Sequence, residues 1–173
     1  FRFIGSASNF RFLLNRYGKI PLPPYICRPN GPDERDSDDY QTIYSQYDGS
    51  IAAPTAGLHF THGLLKRLEE AGIILVRLTV HIGAGTFLPI RSDNTQDHKM
   101  YPEYGHLSQS VAESINRARA AGGRVVTVGT SSLRLLETAA DNAGFVTAFT
   151  AETTLFINAE SYTHLTLHTN REV

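Results

Sequence analysis

Residues 122–137 read GGRVVTVGTSSLRLLE, and this stretch decides the fold class. Arg124 to Val128 is short, apolar and β-branched, as a buried strand is. The small residues Gly129-Thr130-Ser131-Ser132 follow, and Ser131 to Ala140 then has the composition of a helix. Working back along the chain, Ser108 to Ala121 puts Val111, Ile115 and Ala118 on one helical face and ends at Gly122-Gly123. Residues 73–82, IILVRLTVHI, are almost continuously apolar, which predicts a buried parallel strand. Thr61 can cap a helix whose Leu64, Leu65, Leu68 and Ala71 face inward, with Gly72 as its stop. Tyr40, Ile43, Tyr44 and Tyr47 predict another helix closed by Gly49. From Asn9 to Tyr17, Phe10, Leu13, Leu14 and Tyr17 recur at helical spacing, with Gly18 placed for a left-handed cap. Between these helices, Pro21, Pro23 and Pro24 favour an extended path for IPLPPYI. Helices alternating with strands imply α/β architecture with crossovers.

Composition limits what this fold can serve. A chain of 173 residues, 41% hydrophobic, is sufficient for one globular domain. Its formal net charge of −1 gives no global reason to expect nucleic acid, so an RNA partner would be met locally. Cys27 is the sole cysteine, which excludes an internal disulfide scaffold. No apolar run approaches the roughly 20 residues of a membrane helix, and no signal-peptide pattern opens the chain. These features fit a soluble cytoplasmic protein without a membrane role. Phe1 in place of methionine is read as the start of a piece of something longer. Charge is locally polarised: Arg2, Arg11, Arg16, Lys19 and Arg28 precede Asp33, Glu34, Asp36, Asp38 and Asp39. That pattern fits a solvated loop or a basic contact surface for phosphate.

Two segments look like site loops, AAPTAGLHFT at 52–61 and HIGAGTF at 81–87, because each sets a histidine beside small, permissive residues. Ligands of open α/β sheets bind beyond the carboxyl ends of strands, where Gly83-Ala84-Gly85-Thr86 and Gly129-Thr130-Ser131-Ser132 fall. The first is no dinucleotide loop, since Pro89 breaks the helix such a loop must open. The second does open a helix, whose free N–H groups with the Thr130 and Ser131 hydroxyls fit a carboxylate, a phosphate or a ribose, or an ordinary N-cap. Arg134 opposes the helix dipole there, a hint of an anionic ligand. His59 lies in a loop before the Thr61 cap and suits proton transfer; with His62 alone beside it, zinc is not expected. His81 ends a strand and reads either as a core histidine or as a functional one. His98, beside Asp97 and near Glu103, fits acid–base work or a solvated loop.

Taken together, LLNRYGKIPLPPYI, YQTIYS, GSIAAPTAGLHFT, VHIGAGTFLPI, DHKM with Glu103, and GGRVVTVGTSSLRLLE closely resemble the S-adenosylmethionine:tRNA ribosyltransferase-isomerase family of queuosine biosynthesis. The resemblance runs from about Phe10 to Ile157. It implies that residues 1–157 are an incomplete central part of a larger α/β catalytic domain, barrel-like or open-sheet, and that the protein is a monomer. The implied reaction transfers and isomerises the ribosyl part of S-adenosylmethionine onto 7-aminomethyl-7-deazaguanine in a tRNA with a GUN anticodon. Epoxyqueuosine-tRNA forms, and adenine and methionine leave. No cofactor is implied beyond S-adenosylmethionine as donor, and no metal.

A sulfonium acidifies the adjacent ribose carbon, so the resemblance implies a general base for which His59 and His81 are the candidates. Glu103 could assist adenine departure if burial raises its pKa. Thr55, Gly57, Gly83, Gly85, Thr86 and His98 are the expected donor contacts, with Thr130, Ser131 and Arg134 for the methionyl carboxylate or a tRNA phosphate. An anticodon base is single-stranded and can be splayed into such a pocket. The sequence departs from the family in two places. Tyr101 stands where a histidine usually follows DHKM, and residues 158–173, NAESYTHLTLHTNREV, read as a non-family tail to be left out of the fold, artefactual or disordered. A non-catalytic nucleotide- or RNA-binding module, or an unrelated α/β enzyme acting on a sugar phosphate, are the competing readings.

Overall fold

The computed structural model describes residues 2–88, 94, 99–157 and 166–168. Its elements follow in order: α1 (Ala7–Tyr17), α2 (Asp36–Asp39), α3 (His62–Glu70), β1 (Thr79–His81), β2 (Glu103–Leu107), α4 (Gln109–Ala120), β3 (Val126–Val128), α5 (Thr130–Ala139), β4 (Phe149–Thr153) and β5 (Thr166–His168). Short 3-10 turns cover Thr55–Gly57 and Ala84–Phe87. Helix starts follow the sequence closely. Thr61 and Ser108 accept from the N–H three residues on, at Leu64 and Val111, and Ser6 does the same for Asn9. At the far ends, Gly72 and Gly122 take positive φ as αL stops, whereas Gly18 is extended at φ −67, contrary to the expected left-handed cap.

The sheets correct the expected parallel topology. β1, β2 and β4 form one antiparallel sheet in the order β1-β2-β4, with Thr79 opposite His106 and Glu103 opposite Thr153. β3 and β5 pair in parallel as a separate two-stranded ladder. Only three residues of the 73–82 run are strand, and Ile73, Ile74 and Val76 are exposed. Apolar, β-branched content alone does not specify pairing direction or burial. β5 lies within the stretch that the sequence reading set aside. Its Thr166–His168 backbone pairs with β3, so three of those residues belong to a sheet.

β2 explains the core. Its residues alternate strictly, with Glu103, Gly105 and Leu107 inward and Tyr104 and His106 outward. Gly105 lacks a side chain because Leu135 of α5 occupies that space. Leu107, Ala112, Ile115, Leu135, Leu136, Ala139 and Val146 make the buried cluster between this sheet, α4 and α5. Asn116 clamps the return loop, its amide bonding both the N–H and the C=O of Val146 at 2.9 and 2.7 Å. The helix expected over 40–47 is absent. Tyr40 is buried, Tyr47 is exposed, and Tyr44 packs edge-on against Phe60 with its hydroxyl over Gly57. Tertiary contacts of single tyrosines, not a helical stripe, explain their spacing.

Candidate functional site

Residues far apart in sequence converge on one cavity of about 420 Å³. The proline segment reaches it through a turn closed by Ile26 N–H donating to the Pro23 carbonyl at 3.0 Å, which sets Pro23, Pro24 and Tyr25 in one wall. The 52–56 segment supplies the next wall. It is held beside the end of β1 because Ile51 N–H donates to Ile82 O at 2.9 Å, and the Ser50 hydroxyl donates to Val80 O and accepts from Ile82 N–H. Ile82, Thr86 and Phe87 continue the lining, and the residues Gly129 to Ser132 at the start of α5 complete it.

α5 opens on Gly129, whose φ of 91 and ψ of 151 lie in a region essentially reserved for glycine. A glycine N-cap offers no side-chain oxygen, so no side chain of that residue caps the first-turn N–H groups. The cavity therefore combines apolar walls with a helix N-terminus bearing Thr130 and Ser131. That arrangement suits a ligand with a flat apolar part and an anionic or hydroxylated part.

Of the sequence-predicted residues, Thr55, Thr86, Thr130 and Ser131 meet at this cavity. Gly57 lies one turn beyond it, with its N–H donated to Pro54 O at 2.8 Å. Gly85 packs beneath the Tyr101 ring, and Gly83 is open to solvent. Tyr101, the departure from the family pattern, thus fills space over a site-loop glycine. His59 is exposed and packs against Phe60, ring centroids 4.6 Å apart. His81 stacks with Tyr104 at 6.1 Å, and its Nδ1 is buried without a hydrogen-bond partner. His98 lies outside the described residues.

Arg134 and Glu103 are drawn together, away from the cavity. Arg134 Nη1 lies 2.8 Å from Glu103 Oε2, and both side chains are buried. The hint of an external anion is therefore answered inside the protein. Burial pushes the Glu103 carboxyl above its ordinary value, while the Arg134 charge and hydrogen bond pull it back; burial prevails. Sequence reading missed Tyr40, a buried cavity-lining phenol that burial also pushes up. It also missed Pro23 and Pro24, although the proline run was the available signal. The polarised charges meet locally: Arg28 grips the buried Asp36 through Nε and Nη2, with the shortest contact 2.7 Å.

Fold and cavity together define a unit of mixed helix and sheet with a cavity of small-molecule size. The chain belongs to the queuosine biosynthesis protein family, whose model matches residues 1–170. It is 56% identical over 142 residues to the S-adenosylmethionine:tRNA ribosyltransferase-isomerase of Caulobacter vibrioides, covering 82% of this chain and 39% of that protein. The enzyme of the same name from Zymomonas mobilis is 48% identical over 157 residues, covering 91% and 46%. The crystal structure of the S-adenosylmethionine tRNA ribosyltransferase of Thermotoga maritima aligns at 25% identity with a TM-score of 0.47, over 65% of this chain and 34% of that one. The chain spans about two fifths of the length of the curated relatives it matches. Among the described residues, no helix is long and apolar enough to cross a membrane.

Proposed function

We propose that this chain provides the donor-binding part of a ribosyltransferase-isomerase that uses S-adenosylmethionine and a tRNA carrying 7-aminomethyl-7-deazaguanine in a GUN anticodon. Family membership supports the reaction class, and the single observation that carries the assignment to this cavity is its construction. Apolar walls including Tyr25, Tyr40 and Phe87 suit the adenine ring, and the glycine-capped start of α5 suits the methionyl carboxylate or the ribose hydroxyls. The volume of about 420 Å³ falls within the roughly 300–1,000 Å³ of small-molecule sites.

The base that removes the proton beside the sulfonium is one of the two histidines close in sequence to the cavity lining, with His81 ahead of His59. His81 immediately precedes the lining residue Ile82, and its Nδ1 has no other partner. His59, three residues beyond Ala56, is the alternative. Loss of the proton drives adenine out as the ribose ring opens; the aminomethyl nitrogen of the tRNA base then adds to the ribosyl chain and gives up a proton, and closure of the epoxide expels methionine. Residues 1–157 form the central part of a larger catalytic domain, barrel-like or open-sheet, that works as a cytoplasmic monomer. Of residues 158–173, Thr166–His168 pair with β3 and belong with this fold.

The test is adenine release from S-adenosylmethionine with the precursor tRNA, comparing this chain with the same residues set in a full-length relative. Release that His81→Ala abolishes in a folded protein, with donor binding kept, is the expected result. Donor binding without release in either form would leave a binding module instead.

A further inference from the structure

We infer that Arg134 is a positioning residue: with Glu103, and with Thr138 beside it, it sets the register of α5 on the β1-β2-β4 sheet and thereby places the first turn of α5 in the cavity wall. The inference rests on the donor reading only for its ligand. The geometry stands apart from it.

Beyond the fit of Leu135 over Gly105, apolar packing does little to fix this helix. Leu133, Arg134, Leu135 and Leu136 are four consecutive buried residues, and at about 100° per residue they surround the helix with buried side chains. Rotation by one residue exchanges one leucine for another in the core, yet it would carry Thr130 and Ser131 out of the cavity wall. Directional contacts remove that ambiguity. Besides its ion pair with Glu103 at 2.8 Å, the Arg134 guanidinium makes hydrogen bonds to the carbonyls of Leu155 at 2.8 Å, Thr153 at 3.4 Å and Tyr101 at 3.5 Å. One turn further on, the Thr138 and Thr153 hydroxyls are 2.6 Å apart. Glu103 and Thr153 are direct cross-strand partners. Two residues four apart on α5 are thus matched to one pair across β2 and β4, a fit that holds in a single register. A buried ion pair is weak evidence of added stability, and fixing register is its best-attested use.

The experiment compares Arg134→Lys and the apolar double variant Arg134→Met/Glu103→Leu with the unaltered chain. Lysine keeps a charge for Glu103 but cannot span a carboxylate and three carbonyls in one fork. Hydrogen exchange is read at the Leu133 amide, whose N–H donates to Gly129 O at 3.2 Å, against the Ala112 amide, which makes the corresponding bond to Ser108 O in α4 at 3.1 Å. The expected result in Arg134→Lys is exchange at Leu133 faster by about tenfold, with Ala112 unchanged. In the double variant, the thermal midpoint returns to that of the unaltered chain while Leu133 stays fast. Equal exchange at Leu133 in either folded variant and in the unaltered chain would overturn the inference.

Binding of S-adenosylmethionine is titrated in parallel, and its dissociation constant is expected to rise about tenfold in both variants. Absence of binding to the unaltered chain would refute the donor reading alone, leaving the exchange result to judge the register.

Discussion

Replacing Gly129 by alanine tests how the cavity wall is made. An added Cβ would lie 3.6 Å from Ala56 Cβ, an ordinary contact, so the change introduces no clash. The cost is backbone strain alone: φ 91 with ψ 151 is a glycine region, and holding alanine there costs about 1–3 kcal/mol. Alanine also restricts the unfolded chain, which returns about 0.4–1 kcal/mol. The midpoints leave a net destabilisation of about 1.3 kcal/mol, close to tenfold in the folding equilibrium. Gly83 is the matched control. Its φ of −82 and ψ of 174 suit any residue, and nothing lies within 4 Å of an added Cβ, so Gly83→Ala should stabilise by about 0.4–1 kcal/mol. Urea unfolding of the two variants should therefore move the midpoint in opposite directions. A Gly129→Ala protein as stable as Gly83→Ala would refute the claim that strain at this residue sets the start of α5.

Asn116→Ala should cost about 1–3 kcal/mol in denaturant unfolding, because it strips both backbone partners from the buried Val146; a smaller change would mean that the return loop repacks. Arg28 and the Asp33 N–H hold the Asp36 carboxyl below its ordinary 3.8, so its contribution is present above 3.8 and lost as pH falls through the lower folded value. Asp36→Asn should accordingly flatten the acid limb of stability against pH, and an unchanged limb would contradict the pairing. Glu103 has the opposite sign. Its folded value is raised above 4.5, so its contribution is full below 4.5 and lost as pH rises through the raised value. Thermal midpoints of Glu103→Gln should lack that fall, and parallel curves for the two proteins would refute the assignment.

The helices were legible because their signals are local. Thr61 and Ser108 cap where their hydroxyls predict, and of the face expected on α4 Ile115 is buried while Val111 and Ala118 are half-buried. Strand pairing was not legible in the same way. β2 and β4 carry Gly105, His106 and two threonines, so no continuous apolar run announces them, and their pairing is set by partners distant in sequence. At the site, both glycine turns were recognised as special, and Thr55, Thr86, Thr130 and Ser131 do converge. The destination of Arg134 was hidden, because Glu103 lies 31 positions earlier and an unfavourable helix charge cannot say whether its anion is internal.

Small residues in a site loop invite the inference that a ligand approaches the backbone, but Gly57 and Gly85 answer otherwise. The Tyr44 hydroxyl occupies the space beside Gly57, and the Tyr101 ring that beside Gly85. Both glycines therefore serve the protein's own aromatic packing, which holds each loop against a second segment. The cavity gains from this indirectly. The lining residues Thr55 and Thr86 sit in the 3-10 turns that these tyrosines brace, so their hydroxyls are held before a ligand arrives, and less ordering remains to be done on binding. Rigid loops on two sides and the register of α5 on the third make the cavity preorganised. If the proposed donor binds here, its affinity should therefore respond to Tyr44 and Tyr101, although neither lines the cavity.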